Sequence, residues 1–147
     1  MPSGPFCLYE PTLDTMLRGT SPSLDTSPIS AVLLAPTYVP DIKAHSLFSH
    51  VQDHEFMASS QARLLVSGKQ VLNAAFHSDD LIFGNPVTLG PVRYVAFVFG
   101  ASKALKADSP LLGLIDLSPA GGAVEAQRGR FAVAVPEAGW FQLVCTV

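Results

Sequence analysis

The chain has 147 residues, of which 48% are hydrophobic and 14% charged, with a net charge of −3. That length suits one domain with a core large enough to fold without disulfides or metal. Nothing in the charge pattern forms a basic stripe that could neutralise phosphates, so direct nucleic-acid binding is not expected. There is no Lys/Arg-led leader, and no apolar run approaches the roughly 18 residues of a membrane span, so the chain reads as soluble, unexported and free of membrane contact. The charged share is well below the usual figure of about 25%, and so little charge predicts apolar surface covered by a partner. Cys7 and Cys145 stand at opposite ends. Without a secretory signal they are expected to be free thiols, Cys145 as a small strand hydrophobe.

In chain order, residues 1–7 read as an extended arm. Met1, Pro2, Ser3, Gly4, Pro5 and Phe6 include two prolines and a glycine yet end on an aromatic ring. Such an arm has no internal means of order and is expected to be ordered by a neighbouring subunit. Residues 8–147 form the single folded domain. A short helix is predicted over 9–18, with Pro11 in its first turn, Leu13, Met16 and Leu17 on one face, and Gly19 as the stop. Residues 20–28 are a Ser/Pro/Asp-rich loop.

The first strand is Ile-Ser-Ala-Val-Leu-Leu-Ala over 29–35, apolar on both faces as a central strand is. Pro36 and Pro40 bracket a turn, and a short helical turn is predicted near 46–51. Residues 63–66 and 71–76 read as the arms of a hairpin around Ser67-Gly68-Lys69-Gln70, with Gly68 free to take positive φ. After the turn Ser78-Asp79-Asp80, a strand over 81–83 closes at Gly84-Asn85-Pro86.

Three apolar runs fill the last third: 92–100, 111–117 and 131–147. In the first, Val92, Tyr94, Ala96 and Val98 share one face and Arg93, Val95, Phe97 and Phe99 the other. Both need cover, from the helix or from a second copy, and a dimer or trimer is favoured. In 131–135, Phe131, Val133 and Val135 share the core face. In 140–147, Phe141, Leu143, Cys145 and Val147 are assigned to the core and Trp140, Gln142, Val144 and Thr146 to the opposite side. The fold class is all-β: a jelly-roll-like β-sandwich of about eight strands with one short N-terminal helix.

No local signal supports catalysis. His45, His50 and His54, with Asp53, could share a metal, but no Cys pair or His-Glu-x-x-His accompanies them, and a polar connecting segment is the simpler reading. Asp79-Asp80 reads as turn chemistry rather than an acid/base pair. His77 beside it points to the opposite face of a strand. Gly121-Gly122 lies in a flexible loop without the context of a phosphate cradle, and no Gly-x-Ser-x-Gly is present.

The order of pieces nevertheless resembles a family of small structural proteins of tailed bacteriophages. The pieces are residues 13–19 ending in glycine, Ile29 to Leu34, Thr37-Tyr38-Val39-Pro40, Ser67-Gly68-Lys69, Asp79-Asp80-Leu81-Ile82-Phe83 and Tyr94-Val95-Ala96-Phe97. The ending is Pro110-Leu-Leu-Gly-Leu-Ile-Asp-Leu117, Gly129-Arg-Phe-Ala-Val-Ala-Val135 and Gly139-Trp-Phe-Gln-Leu143. The likeness covers residues 8–145 and departs in the proline-rich first segment and in lacking an aromatic at position 114. It implies a capsid cement or decoration protein on the capsid exterior, assembled in the bacterial cytoplasm and binding the major capsid protein, with no enzymatic activity and no cofactor. A tail or head–tail component is the related alternative, and a host- or sugar-binding β-sandwich is the alternative from another class. The partner surface is expected to include Met1, Pro2, Ser3, Gly4, Pro5, Phe6, Arg93 and Tyr94.

Overall fold

The computed structural model describes residues 4–57 and 62–143. In chain order the elements are β1 (Phe6–Leu8), α1 (Glu10–Leu17), β2 (Ile29–Leu34), 3₁₀ turns at Phe48–His50 and Gln52–His54, β3 (Arg63–Leu65), β4 (Gln70–Leu72), β5 (Ala75–His77), β6 (Leu81–Val92), β7 (Tyr94–Phe99), β8 (Leu111–Asp116), β9 (Val124–Val133) and β10 (Phe141–Gln142). The chain is all-β and sandwich-like, with ten strands described and one helix. A five-stranded sheet has the order β1-β8-β7-β2-β3, a three-stranded sheet β10-β5-β4, and β6 with β9 makes a long ribbon. Every pairing is antiparallel.

β2 and β7 occupy the middle of the large sheet because they are apolar on both sides, and every residue of both is buried. On the inner face, Ile29, Ala31, Leu33, Val95, Phe97 and Phe99 meet Phe76, Leu81, Phe83, Leu89 and Phe131 from the ribbon and the small sheet, and Trp140 from the turn before β10. This is the sandwich core. On the outer face, Val32, Leu34, Tyr94, Ala96 and Val98 form a second core with Tyr9, Tyr38, Phe48 and Val51. The cover predicted for the second face of residues 92–99 therefore comes from within the chain, from the entry to α1 and from the loop over 35–57. That strand supplies no reason for a second copy. Val92 belongs to the inner core instead, because the chain breaks at Arg93 between β6 and β7.

α1 starts and stops where the sequence predicts, with Pro11 in its first turn and Gly19 at φ +71° beyond its end. Its packing is different. The buried residue is Thr12, whose hydroxyl donates to the Leu111 carbonyl. Met16 is only partly covered and Leu17 stands 87% exposed. A side-chain hydroxyl bonded to the sheet backbone, rather than a leucine stripe, seats the helix.

Three further expectations are corrected. The hairpin does not run from β3 to β4: β3 pairs with β2, while β4 pairs with β5. Its turn is Asn73-Ala74, both at positive φ (53° and 60°), the left-handed pair that a two-residue hairpin turn requires. Alanine seldom accepts that conformation, so residues 71–76 looked like one strand. Gly68 does take positive φ (66°), but as part of a connecting loop. The strand at 81–83 does not close at Pro86. β6 continues to Val92 beside β9, through four register shifts. A two-stranded ribbon leaves one edge of each strand free, which is where proline and bulges are tolerated.

The C-terminal register is the third correction. Trp140 is buried in the core, Phe141 only partly so, and Leu143 is 69% exposed. Gly139 turns the chain at φ +92°, and the Trp140 N–H bonds to the Phe76 carbonyl before β10 begins. The turn sets the faces, and simple alternation does not. Positions 144–147, including Cys145 and Thr146, lie outside the described residues.

Candidate functional site

Two places carry more than scaffold. The first is a polar chain running outward from the second core. The Tyr9 and Tyr38 hydroxyls are 2.9 Å apart, and the Tyr38 hydroxyl is 2.7 Å from His45 Nδ1. Tyr9 is wholly buried, which pushes its hydroxyl well above the usual tyrosine range, and the neighbouring Tyr38 adds to this. Burial raises Tyr38 as well. Tyr38 is the hydrogen-bond partner of the Tyr9 hydroxyl, and Tyr38 in turn meets His45, so the arrangement that gives each hydroxyl proton an acceptor has Tyr9 donating to Tyr38 and Tyr38 to His45. Tyr38 also packs edge-on against Tyr94, with ring centroids 5.5 Å apart.

The histidine segment folds around this chain. His45 stacks on His50 at 5.2 Å, and His54 lies 5.6 Å from the Tyr38 ring with its Nδ1 3.0 Å from the Thr37 hydroxyl. His50 Nδ1 accepts from the backbone N–H groups of Ser46 (3.0 Å) and Leu47 (3.1 Å). An Nδ1 that accepts leaves the neutral ring's proton on Nε2, so His50 has no lone pair free for a metal. Among the described residues no group of three His, Cys, Asp or Glu is placed to hold an ion. The cluster predicted from spacing is real as a cluster; its geometry is that of structural hydrogen bonding.

Arg93 and Tyr94, expected at a partner surface, have other work. Tyr94 is buried in the second core. Arg93 pairs with both oxygens of Asp116 (3.1 and 3.0 Å) and lies over the Tyr94 ring. Met1, Pro2 and Ser3 lie outside the described residues. The rest of the arm is ordered by its own chain, which corrects the boundary drawn at residue 7. The Gly4 N–H donates to the Asp116 carbonyl, and β1 pairs with β8. Phe6 packs edge-on against Phe97 (4.9 Å) and stacks on Phe141 (5.4 Å). Gly4, Pro5 and Phe6 also line a cleft of about 370 Å³ with Ile115, Trp140 and Gln142. Trp140 is not offered there as a sugar platform: it is buried, and its Nε1–H donates to the Ser78 hydroxyl at 2.8 Å.

The second place is a set of exposed apolar side chains on sheet edges. Among the described residues β4 is an edge strand whose three residues are all exposed, with Val71 and Leu72 each more than half so. Leu65 on the edge strand β3, Ile82 on β6 and Leu143 after β10 are also exposed. Apolar edges are usually blunted by charge or covered. Sequence reasoning missed these side chains because Val71 and Leu72 look like ordinary strand hydrophobes; only their placement at an edge gives them away.

The aspartates act as ties. Asp79 accepts from the Ser67 hydroxyl at 3.1 Å, and Asp80 from the Val135 N–H at 2.9 Å. Glu55, nearly buried, pairs with Arg63, which also donates to the Ser102 carbonyl at 2.8 Å and lies over the Phe48 ring. No family model, curated protein or solved structure matches the chain.

Proposed function

We propose that the chain is a non-enzymatic structural protein of a virion, a capsid cement or decoration protein that binds across major capsid subunits and stabilises the head. The observation that carries this reading is the exposed apolar edge strand β4, with Val71 and Leu72 each more than half in solvent. An edge strand with free backbone donors and acceptors and apolar side chains is suited to strand addition by a neighbouring protein. The low charge and the ordered resemblance of residues 8–145 to phage structural proteins support the same reading. Many weak contacts repeated over a lattice hold such a protein by avidity, and no chemistry is needed. The same edge would join copies of the chain into a dimer or trimer; neither nucleic acid nor membrane enters the reading.

The test is mass spectrometry of purified particles of the encoding phage, followed by cosedimentation of the purified chain with capsids lacking it. The protein is expected in the particle and on the capsid exterior, and V71K with L72K should weaken capsid binding by at least about tenfold, equivalent to about 1.4 kcal/mol. Presence on tails alone would make it a tail component. Absence from the particle would end the virion reading.

A further inference from the structure

Three of the chain's four histidines, His45, His50 and His54, sit in the one loop that closes over the outer face of the five-stranded sheet. Each has its Nδ1 committed to a partner within that loop. We propose that this loop is a proton-operated cover: mild acid releases residues 36–57 from the β2-β7-β8 face while the rest of the sandwich stays folded. The proposal rests on this geometry and is independent of the virion reading.

The Tyr9 hydroxyl has Tyr38 as its partner, and the Tyr38 hydroxyl has His45 Nδ1 as its next one, so each proton finds an acceptor when the chain runs Tyr9 to Tyr38 to His45. A proton on that nitrogen would set donor against donor at the edge of an apolar core and leave the Tyr38 hydroxyl proton without an acceptor. At His50 the conflict is simpler, because its Nδ1 receives two backbone N–H groups. The two rings are stacked nearly parallel, 17° apart, so two imidazolium charges would also repel.

The surrounding charges do not offset this. On the loop itself, Asp41 favours a charged His45, but its carboxylate is engaged by the Ala44 N–H at 3.1 Å. Asp53 lies in the second 3₁₀ turn, and Glu55 is held by Arg63. From β7 comes Tyr94, and from the break before it Arg93, which is paired with Asp116. From α1 comes Glu10, whose N–H bonds to the Ile42 carbonyl, and from the segment bonded to residues 48 and 49 come Lys106 and Asp108. Burial, then His50 and, further down, His54 hold His45 below the usual histidine range despite Asp41. The closed cover thus binds fewer protons than the released loop. Closure is fully favoured above about pH 6.5, the free-histidine value, and is lost progressively below it.

The measurement is hydrogen exchange with mass spectrometry between about pH 7.5 and about pH 5.5, above the range where unpaired carboxylates protonate, with rates corrected for intrinsic pH dependence. Protection of residues 36–57 should fall by roughly tenfold per pH unit for each proton taken up, while β2, β7 and the β6–β9 ribbon keep theirs. The double variant His45→Gln with His50→Gln retains neutral acceptors and should lose the pH response. Loss of protection throughout the chain at one pH, or an unchanged response in the double variant, overturns the proposal. Should the variant fail to fold, ¹⁵N spectra of the wild-type histidines decide: cationic His45 and His50 while the loop amides remain protected would also overturn it.

Discussion

The ring of Phe6 occupies the space into which a side chain on Gly113 would project. A β-carbon built on Gly113 would overlap the Phe6 ring and lie 2.9 Å from the Cys7 carbonyl oxygen. The glycine is therefore a socket. It lets β1 lie flat on β8 and lets a ring from the N-terminal strand reach Phe97, Trp140 and Phe141. G113A is expected to destabilise by about 1–3 kcal/mol through overpacking. F6A alone should cost roughly 1–2 kcal/mol, since the ring is only partly buried. The double variant should cost less than the sum, but the Cys7 carbonyl keeps the rescue partial. Urea melts of the cycle measure this; strict additivity would mean the two residues do not meet.

At the C-terminal turn, W140A should cost about 3–5 kcal/mol, as for other buried large aromatics. It also removes the donor that satisfies the Ser78 hydroxyl. L143A should cost well under 1 kcal/mol, because the side chain is mostly in water. Urea melts of both variants check this, and the reverse order would restore the alternating register.

The Arg63–Glu55 pair joins β3 to the end of the covering loop. R63A strands a nearly buried carboxylate and is expected to cost about 3–5 kcal/mol. E55Q with R63M removes both charges and should be milder than R63A alone. Thermal melts of the three proteins at neutral pH measure the difference; equal loss in R63A and the double variant would show that packing of Arg63 on Phe48, rather than charge, is what matters.

Tyr9 and Tyr38 are both held above the ordinary tyrosine range, chiefly by burial. A folded-state value raised above the unfolded one means the stability linked to it is intact below about pH 10 and falls as pH rises past that value. Absorbance near the phenolate band should show these two rings ionising together with loss of the fold, as followed by circular dichroism. Y38F should cost about 1–3 kcal/mol, since it leaves the Tyr9 hydroxyl and His45 Nδ1 without their shared partner. Ionisation of Tyr9 in protein that is still folded would contradict the buried chain described here.

Local patterns were legible where the physics is local. Continuous apolar runs place β2 and β7 in the centre of a sheet because only a doubly covered strand can carry them. Pro11 and Gly19 bound α1 through backbone constraints that need no partner. The large/small alternation of residues 131–134 gives the buried Phe131 and Val133. The histidine cluster was visible as spacing, but its Tyr38–Tyr9 root was not, because residues 29 positions apart share no local signal.

By itself the sequence determined that this is an all-β chain with two-faced central strands, one short helix and few charges. Only the tertiary structure decided what covers each face. It sends Phe6 onto the Gly113 socket of its own sheet, folds residues 35–57 over the outer face, turns the 71–76 run into a hairpin and puts Trp140 inward in place of Phe141. Periodicity tells which side chains must be hidden, but what hides them is settled by contacts between segments far apart in the chain, and a single turn at Gly139 or Asn73-Ala74 is enough to reverse the faces that follow.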